Sequence, residues 1–420
     1  MEKTRFLVIG AGVTGLSFAA HLADKDYLVC EAEDEPGGYC RSVRRDGFTW
    51  DYSGHFFHFR HKDIETWLVS RMQGERVRTV VKDSRIHYAG RLIDFPFQKN
   101  IHQLPFDEFL ECLVDLFAER PEDLSNFKAM LLSRFGRGTC EKFLFPYNEK
   151  LYATDLATLD VDAMGRFFPH ANPVEIVRGF RRTDNSSYNS TFTYPEGGAF
   201  QYIRALLSAV DGARVSLGER VISLDLERKL ARTERREIAF EHVVSSAPFP
   251  KLLELSGTRF DPAIYSWNKV LIYNLGFDAK GLSGVHWIYY PDRELCFYRV
   301  GFYDNIFDSD RMSLYVELGF PSNAELGPEQ IEVMRERVLA DLARAGVIQG
   351  QRLVAWHHVV LDPAYVHITQ RSLADVAAHK KRLAAHGVHS LGRYGSWTYC
   401  SIEDNIVEAR ELAAAFNASG

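Results

Sequence analysis

Four apolar residues, Phe6-Leu7-Val8-Ile9, run straight into Gly10. A short unbroken apolar run stopped by glycine is the pattern of a strand covered on both faces. From Val13 to Asp24 the apolar positions recur at helical spacing, and Tyr27 to Cys30 is a second apolar run, so the opening predicts a βαβ unit. Leu110, Leu113 and Leu116 repeat at helical spacing, as do Phe127, Met130, Leu131 and Phe135 ahead of Gly136. These predict a helical lobe over roughly 104–180, with one helix stopped at Gly136. Between 215 and 247, short apolar runs alternate with charged hairpin segments and end in Val243-Val244-Ser245-Ser246-Ala247-Pro248, which can return to the first sheet. Residues 266–322 are rich in Tyr, Trp, Phe and Val without helical period, which predicts a second, antiparallel sheet. Gln330 to Ala345 reads as an amphipathic helix ended by Gly346, and Ile402 to Phe416 as a final one capped by Ser401.

The sum is an α/β protein: a Rossmann-like nucleotide-binding domain, an inserted helical lobe and an antiparallel β-sheet substrate domain. The pattern places the first discontinuously over 1–90, 190–255 and 370–420, the helical lobe over 100–185 and the sheet domain over 256–368. With 420 residues and 46% hydrophobic content, the chain can bury a cofactor and a second ligand together. A net charge of −6 argues against nucleic acid or anionic membranes as partners. Any phosphate must therefore be met by a few local cations. The six cysteines show no CxxC pair and no zinc spacing, which predicts unbridged thiols and no metal. The run from Arg5 to Gly10 is too short for a signal h-region and no 18-residue apolar run follows, so a cytoplasmic location is expected.

Gly10-Ala11-Gly12-Val13-Thr14-Gly15 joins the first predicted strand to the first predicted helix. The three glycines give a tight turn, an approach for pyrophosphate to backbone N–H groups, and close helix–strand packing. Glu31 ends the second strand, where a carboxylate can accept ribose hydroxyls. Gly37-Gly38 follows it, an arrangement typical of FAD rather than NAD proteins of this kind.

Four later stretches carry a family resemblance: Asp51-Tyr52-Ser53-Gly54-His55, Phe95-Pro96-Phe97-Gln98-Lys99-Asn100, Phe145-Pro146-Tyr147-Asn148-Glu149-Lys150, and Gly392-Arg393-Tyr394-Gly395-Ser396-Trp397-Thr398-Tyr399. Together they resemble UDP-galactopyranose mutase, within the wider amine oxidase and protoporphyrinogen oxidase superfamily. Trp287-Ile288-Tyr289-Tyr290-Pro291, running on to Phe297-Tyr298-Arg299, resembles the eukaryotic branch of that family. The resemblance implies FAD that acts when reduced, with its N5 attacking the anomeric carbon of a UDP-hexose and expelling the diphosphate. The sugar then opens, recloses as a furanose and takes the diphosphate back, so that there is no net redox change. NAD(P)H is a possible reductant, and a homo-oligomer is possible.

By the same resemblance, Arg166 and Arg299 match the two arginines that clamp the diphosphate, and a planar guanidinium suits phosphate oxygens. Tyr289, Tyr365 and Tyr399 match tyrosines whose hydroxyls reach the phosphates. Phe95, Phe97 and Gln98 match a uracil pocket, with Phe95 standing where eukaryotic relatives commonly have tyrosine. Asn148 and Asn189 match polar contacts to the nucleotide or sugar, and Tyr152 stands where relatives often carry tryptophan. Gly54-His55 matches the loop under the isoalloxazine, which puts His55 in the catalytic set through flavin contact rather than as an acid or base. Val221, Gly392, Arg393 and Ser401 complete the cofactor contacts, Ser401 opening a helix whose positive end can favour the anionic reduced flavin. The competing expectations are an oxidase or desaturase of the same superfamily and a flavoprotein that only binds.

Overall fold

The computed structural model describes residues 2–181 and 190–419. Strand β1 (Glu2–Ile9) pairs in parallel with β2 (Tyr27–Cys30) on one side and with Glu237–Ser245 on the other. Its side chains alternate between two cores. Phe6 and Val8 pack with Leu16, Phe18, Tyr202 and Ala409, whereas Leu7 and Ile9 pack with Leu28, Phe249, Leu252 and Trp397. Cover on both faces is why the run is continuously apolar instead of alternating. Helix α1 (Val13–His21) lies against the final helix, Ile402–Ser419. The sheet has seven strands, with Val388–Ser390 added in parallel to 243–245. The return of 243–245 to this sheet agrees with the sequence pattern.

In the helical lobe, the helix that starts at Phe127 breaks at Gly136, as the pattern predicts: Gly136 takes the non-helical φ 76° and ψ 168°, and a second short helical segment runs on from it to Thr139. A Cβ there would meet Cβ of Asp115 at 2.7 Å, so the close approach of helix Phe106–Phe117 explains the glycine. The chain then passes through a wide turn, Cys140–Leu144, into helix Phe145–Tyr152.

The second sheet also has seven strands, with Leu353–Leu361 at one edge, followed inward by Asn268–Phe277, Ser313–Pro321 and Arg299–Phe302. One edge departs from the expected boundaries. The hairpin Ser84–Tyr88 with Arg91–Asp94 joins this sheet rather than the nucleotide domain, pairing in parallel with Trp287–Tyr289. The parallel pair makes the sheet mixed rather than purely antiparallel. Ile86 and Ile93 are wholly buried by this pairing. The partner lies about 200 residues downstream, and local periodicity does not encode such a contact.

Candidate active site

Beyond Ile9, Gly10 turns the chain at φ +100°. A Cβ on Gly15 would overlap the Gly10 carbonyl oxygen, whereas one on Gly12 would meet nothing within 4 Å. Gly10 and Gly15 thus serve the chain itself, and Gly12 leaves open space at the N-terminus of α1, which no side chain caps. Val13 and Thr14 form its first turn. The loop bearing Gly37 and Gly38 borders that space, the Gly37 N–H donating to the Ala11 carbonyl at 2.8 Å. Glu31 accepts the Ala11 N–H at 2.7 Å and the Glu33 N–H at 3.0 Å, which fixes its carboxylate at the end of β2. Val221 lies in an edge hairpin, two residues beyond Glu219, whose N–H donates to the Glu31 carbonyl at 2.7 Å. On the far side Thr14 Oγ1 donates to Asn405 Oδ1 at 3.1 Å, and the same oxygen accepts the Arg393 N–H at 2.8 Å. Gly392, at φ +80°, has no room for a Cβ between Thr14 and Asn405. Open space at Gly12, helix amides, and a fixed carboxylate fit a dinucleotide.

A cleft of about 1480 Å³, counting the space at its open mouth, lies between the helical lobe, the second sheet and the start of the final helix. Gly54, His55, Arg393 and Ser401 line it. Burial pushes the His55 imidazole down to about 4, so it is neutral near pH 7, and its Nδ1 is buried without a hydrogen-bond partner among the described residues. The Arg393 guanidinium lies 5.0 Å from the Tyr365 ring and 4.6 Å from the Tyr399 ring, with Nε also buried and unpartnered. Gly54 does not adopt positive φ; it is required because a Cβ would overlap the Tyr315 hydroxyl. Ser401 caps the final helix, its Oγ accepting the Asp404 N–H at 3.1 Å while Asp404 accepts the Ser401 N–H at 2.8 Å.

The wall formed by the second sheet follows from strand register. Tyr289, Arg299 and Glu317 stand opposite one another on three neighbouring strands, as do Trp287, Gly301 and Tyr315 one pleat away. Residues two apart on a strand share a face, so both rows look toward the cleft. The absent side chain at Gly301 makes room for the Tyr315 ring. Arg299 donates through Nε to Glu317 Oε2 and through Nη2 to Oε1, both at 2.8 Å. Burial would raise the Glu317 carboxyl, but the Arg299 charge and hydrogen bonds from Arg299 and Ser53 hold it below its ordinary value. Tyr289 accepts the Trp287 indole N–H at 2.8 Å, and its ring lies 4.8 Å from Phe95.

Gln98 and Asn148 occupy another part of the lining. Each donates its amide to a backbone carbonyl, of Pro169 and Leu144 respectively, and each keeps a side-chain oxygen that is buried without a partner among the described residues. Such orphaned acceptors suit a ligand that brings N–H donors.

Not every expected residue reaches the cleft. Phe97 is wholly buried behind the wall, stacked 5.0 Å from Phe143, and Tyr152 is 1% exposed with its hydroxyl 3.4 Å from the Ala163 carbonyl. Both are core side chains rather than lining, because Phe97 at the start of the short helix Phe97–Lys99 and Tyr152 at the end of helix Phe145–Tyr152 point into the helical lobe. Arg166 sits at the rim in the turn Gly165–Phe167 and donates to both oxygens of Asp404 at 2.6–2.7 Å. Asn189 lies outside the described residues. Sequence reasoning missed Tyr315, Glu317, Asn405 and Asp404; the spacing of Arg299 from Gly301 and of Tyr315 from Glu317 was visible, but not the register that joins them.

Residues 13–346 match the sequence pattern of flavin-containing amine oxidoreductases. A zeta-carotene-forming phytoene desaturase of Myxococcus xanthus is 51% identical over 52 residues, which is 12% of this chain and only 10% of the desaturase. Coproporphyrinogen III oxidase of Staphylococcus aureus (strain NCTC 8325 / PS 47) is 23% identical over 326 residues, covering 66% of this chain and 68% of the oxidase. The crystal structure of reduced UDP-galactopyranose mutase superimposes with a TM-score of 0.89 at 22% identity, covering 100% of this chain and 95% of that one. That likeness establishes a shared α/β architecture.

Proposed function

The chain belongs to the family of flavin-containing amine oxidoreductases, and from that premise we propose that it is an FAD-dependent mutase interconverting the pyranose and furanose forms of a UDP-hexose such as UDP-galactopyranose. The observation that carries this reading is the lining of one cleft. His55, Arg393 and Ser401, which fit a flavin, share it with half-buried Arg299, with Tyr289, Tyr365 and Tyr399, and with the orphaned amide oxygens of Gln98 and Asn148. An amine or a polycyclic substrate would need neither the arginine nor this ring of hydroxyls.

In this reading FAD, when bound and reduced, supplies the nucleophile toward the anomeric carbon. The chain supplies the rest. Arg299 meets Glu317 through Nε and Nη2, and among the described residues its Nη1 makes no hydrogen bond, so it can meet phosphate oxygens as the leaving diphosphate gathers charge. The tyrosine hydroxyls donate without adding charge, and stacked rings exclude water. Phe95 gives a base an aromatic face, while Gln98 and Asn148 accept from its edge or from a ribose. Arg166 reaches the diphosphate from the rim by exchanging Asp404 for phosphate.

The test is to incubate anaerobic, dithionite-reduced holoprotein with a panel of nucleotide sugars and separate the products. Furanose from a UDP-hexose, and none from oxidised protein, is the expected result. Oxidation of an amine or a polycyclic compound with peroxide release, and no ring exchange, would move the chain to the oxidase reading.

A further inference from the structure

Trp287 is a buried side chain to which the reaction above gives no task of its own. It stands two residues before Tyr289 on the strand Trp287–Tyr289, so the two side chains share a face, and both line the cleft. Trp287 is 4% exposed and stacks on Phe56 at 5.4 Å, with the ring planes 8° apart, while Phe192 packs at 5.9 Å. That packing fixes the plane of the indole and the direction of its N–H, which meets the Tyr289 hydroxyl oxygen at 2.8 Å. An indole N–H can only donate, so the Tyr289 oxygen accepts. Among the described residues the Tyr289 hydroxyl donates to nothing in return. Burial keeps this phenol above its ordinary value, so its proton is in place at neutral pH. Tyr289 is also the register partner of Arg299, whose Nη1 makes no hydrogen bond among the described residues.

Resting on the function proposed above, we infer that Trp287 is a positioning residue that makes Tyr289 a fixed hydrogen-bond donor to an unprotonated oxygen of the nucleotide diphosphate. A phenol O–H lies near the plane of its ring, because the oxygen conjugates with the ring, and this leaves two orientations on opposite sides. With the indole N–H on one side, an O–H turned that way would set hydrogen against hydrogen. The proton is therefore held on the other side before any ligand arrives, and the donor is preorganised. A hydroxyl that accepts a hydrogen bond is also polarised into a stronger donor. What it meets must be an acceptor without a proton of its own, which a diphosphate supplies and an ammonium does not. The register with Arg299 favours phosphate over the carbonyls of the base, since one anionic group can take hydrogen bonds from both residues.

UDP and uridine serve as the probes. Their Kd values are measured on dithionite-reduced holoprotein for wild type, Trp287→Phe, Tyr289→Phe and the double variant. Trp287→Phe keeps an aromatic ring in the stack and removes the N–H. It should weaken UDP by about 3- to 10-fold, the worth of one ordinary hydrogen bond, and leave uridine within about twofold. In the Tyr289→Phe background the same change should cost UDP less than about twofold, because no hydroxyl is left to orient. A merely structural role for Trp287 would cost the same in both backgrounds, and that result would overturn the inference while leaving the mutase reading intact. Unchanged UDP affinity in Trp287→Phe would do the same, as would an equal loss for uridine, which would move the acceptor to the base. A wild-type holoprotein that binds no UDP would sink the mutase reading and this inference with it. Should Trp287→Phe fail to fold, benzothienylalanine at position 287 keeps the bicyclic shape without the N–H and decides the matter in its place.

Discussion

The two arginines of the cleft come from different walls and are held in different ways. Arg299 stands on the second sheet, 20% exposed in its side chain, opposite a carboxylate that is almost fully buried. Arg166 stands on a short turn of the helical lobe, a third exposed, against an Asp404 that is itself partly open. The first pair is built into a register of strands and cannot separate without leaving a charge in a dry place. The second joins two elements across solvent and can exchange partners at little cost. The sheet wall is thus a fixed charge pattern, and the rim is a movable one.

The largest effect on stability should come from breaking the fixed pair. Arg299→Ala leaves Glu317 buried and unpaired and should lose about 3–5 kcal/mol in denaturant unfolding. Replacing both residues by leucine should recover most of that. A loss below about 1 kcal/mol would show the wall to be far wetter than described.

Next is His55, in the loop that packs against that wall through Gly54 and Tyr315. Its imidazole is held near 4 in the fold, against about 6.5 when unfolded, so the unfolded chain binds the extra proton first as pH falls. Stability should therefore decline from pH 6.5 toward pH 4, by up to about 3 kcal/mol, relative to His55→Gln over the same window. Parallel pH dependence in the two proteins would place the imidazole in water.

Smaller on the fold is Arg166→Ala, which should change stability by no more than about 1 kcal/mol. It should still slow turnover of a UDP-hexose by roughly 30- to 1000-fold, since a charge-assisted phosphate contact is lost. Unchanged turnover would take Arg166 out of the clamp and leave the sheet wall to act alone.

Smallest of all should be Gly12→Ala, within about 0.5 kcal/mol for the apoprotein, because its Cβ would meet nothing. FAD retention, read from the flavin absorbance of purified protein, should nonetheless fall. Gly15→Ala is the contrast, since its Cβ would strike the Gly10 carbonyl and the damage would reach the fold itself.

The parts that were legible in the sequence are those fixed by local pattern. The run Phe6–Ile9, the glycines at 10, 12 and 15 and Glu31 form one contiguous unit, and the structure assembles it as read. The helix at 402 and its Ser401 cap were legible for the same reason. What pattern could not supply was register and depth. Arg299 carried a motif of its own, but Glu317 lies 18 residues on and becomes its partner only through strand pairing. Phe97 and Tyr152 belong to motifs that line the cleft, yet each points inward, because neighbours on a short helix or turn face different ways. The edge strand at 84–88 had its partner about 200 residues away.

The most direct test of the central claim counts electrons. Reduced, oxygen-free holoprotein is given a known small amount of reductant and an excess of UDP-galactopyranose, and furanose is counted against reductant consumed. Many product molecules per reducing equivalent, and none from oxidised protein, are expected. Product that tracks reductant or oxygen one for one, or equal turnover by oxidised protein, would contradict the claim.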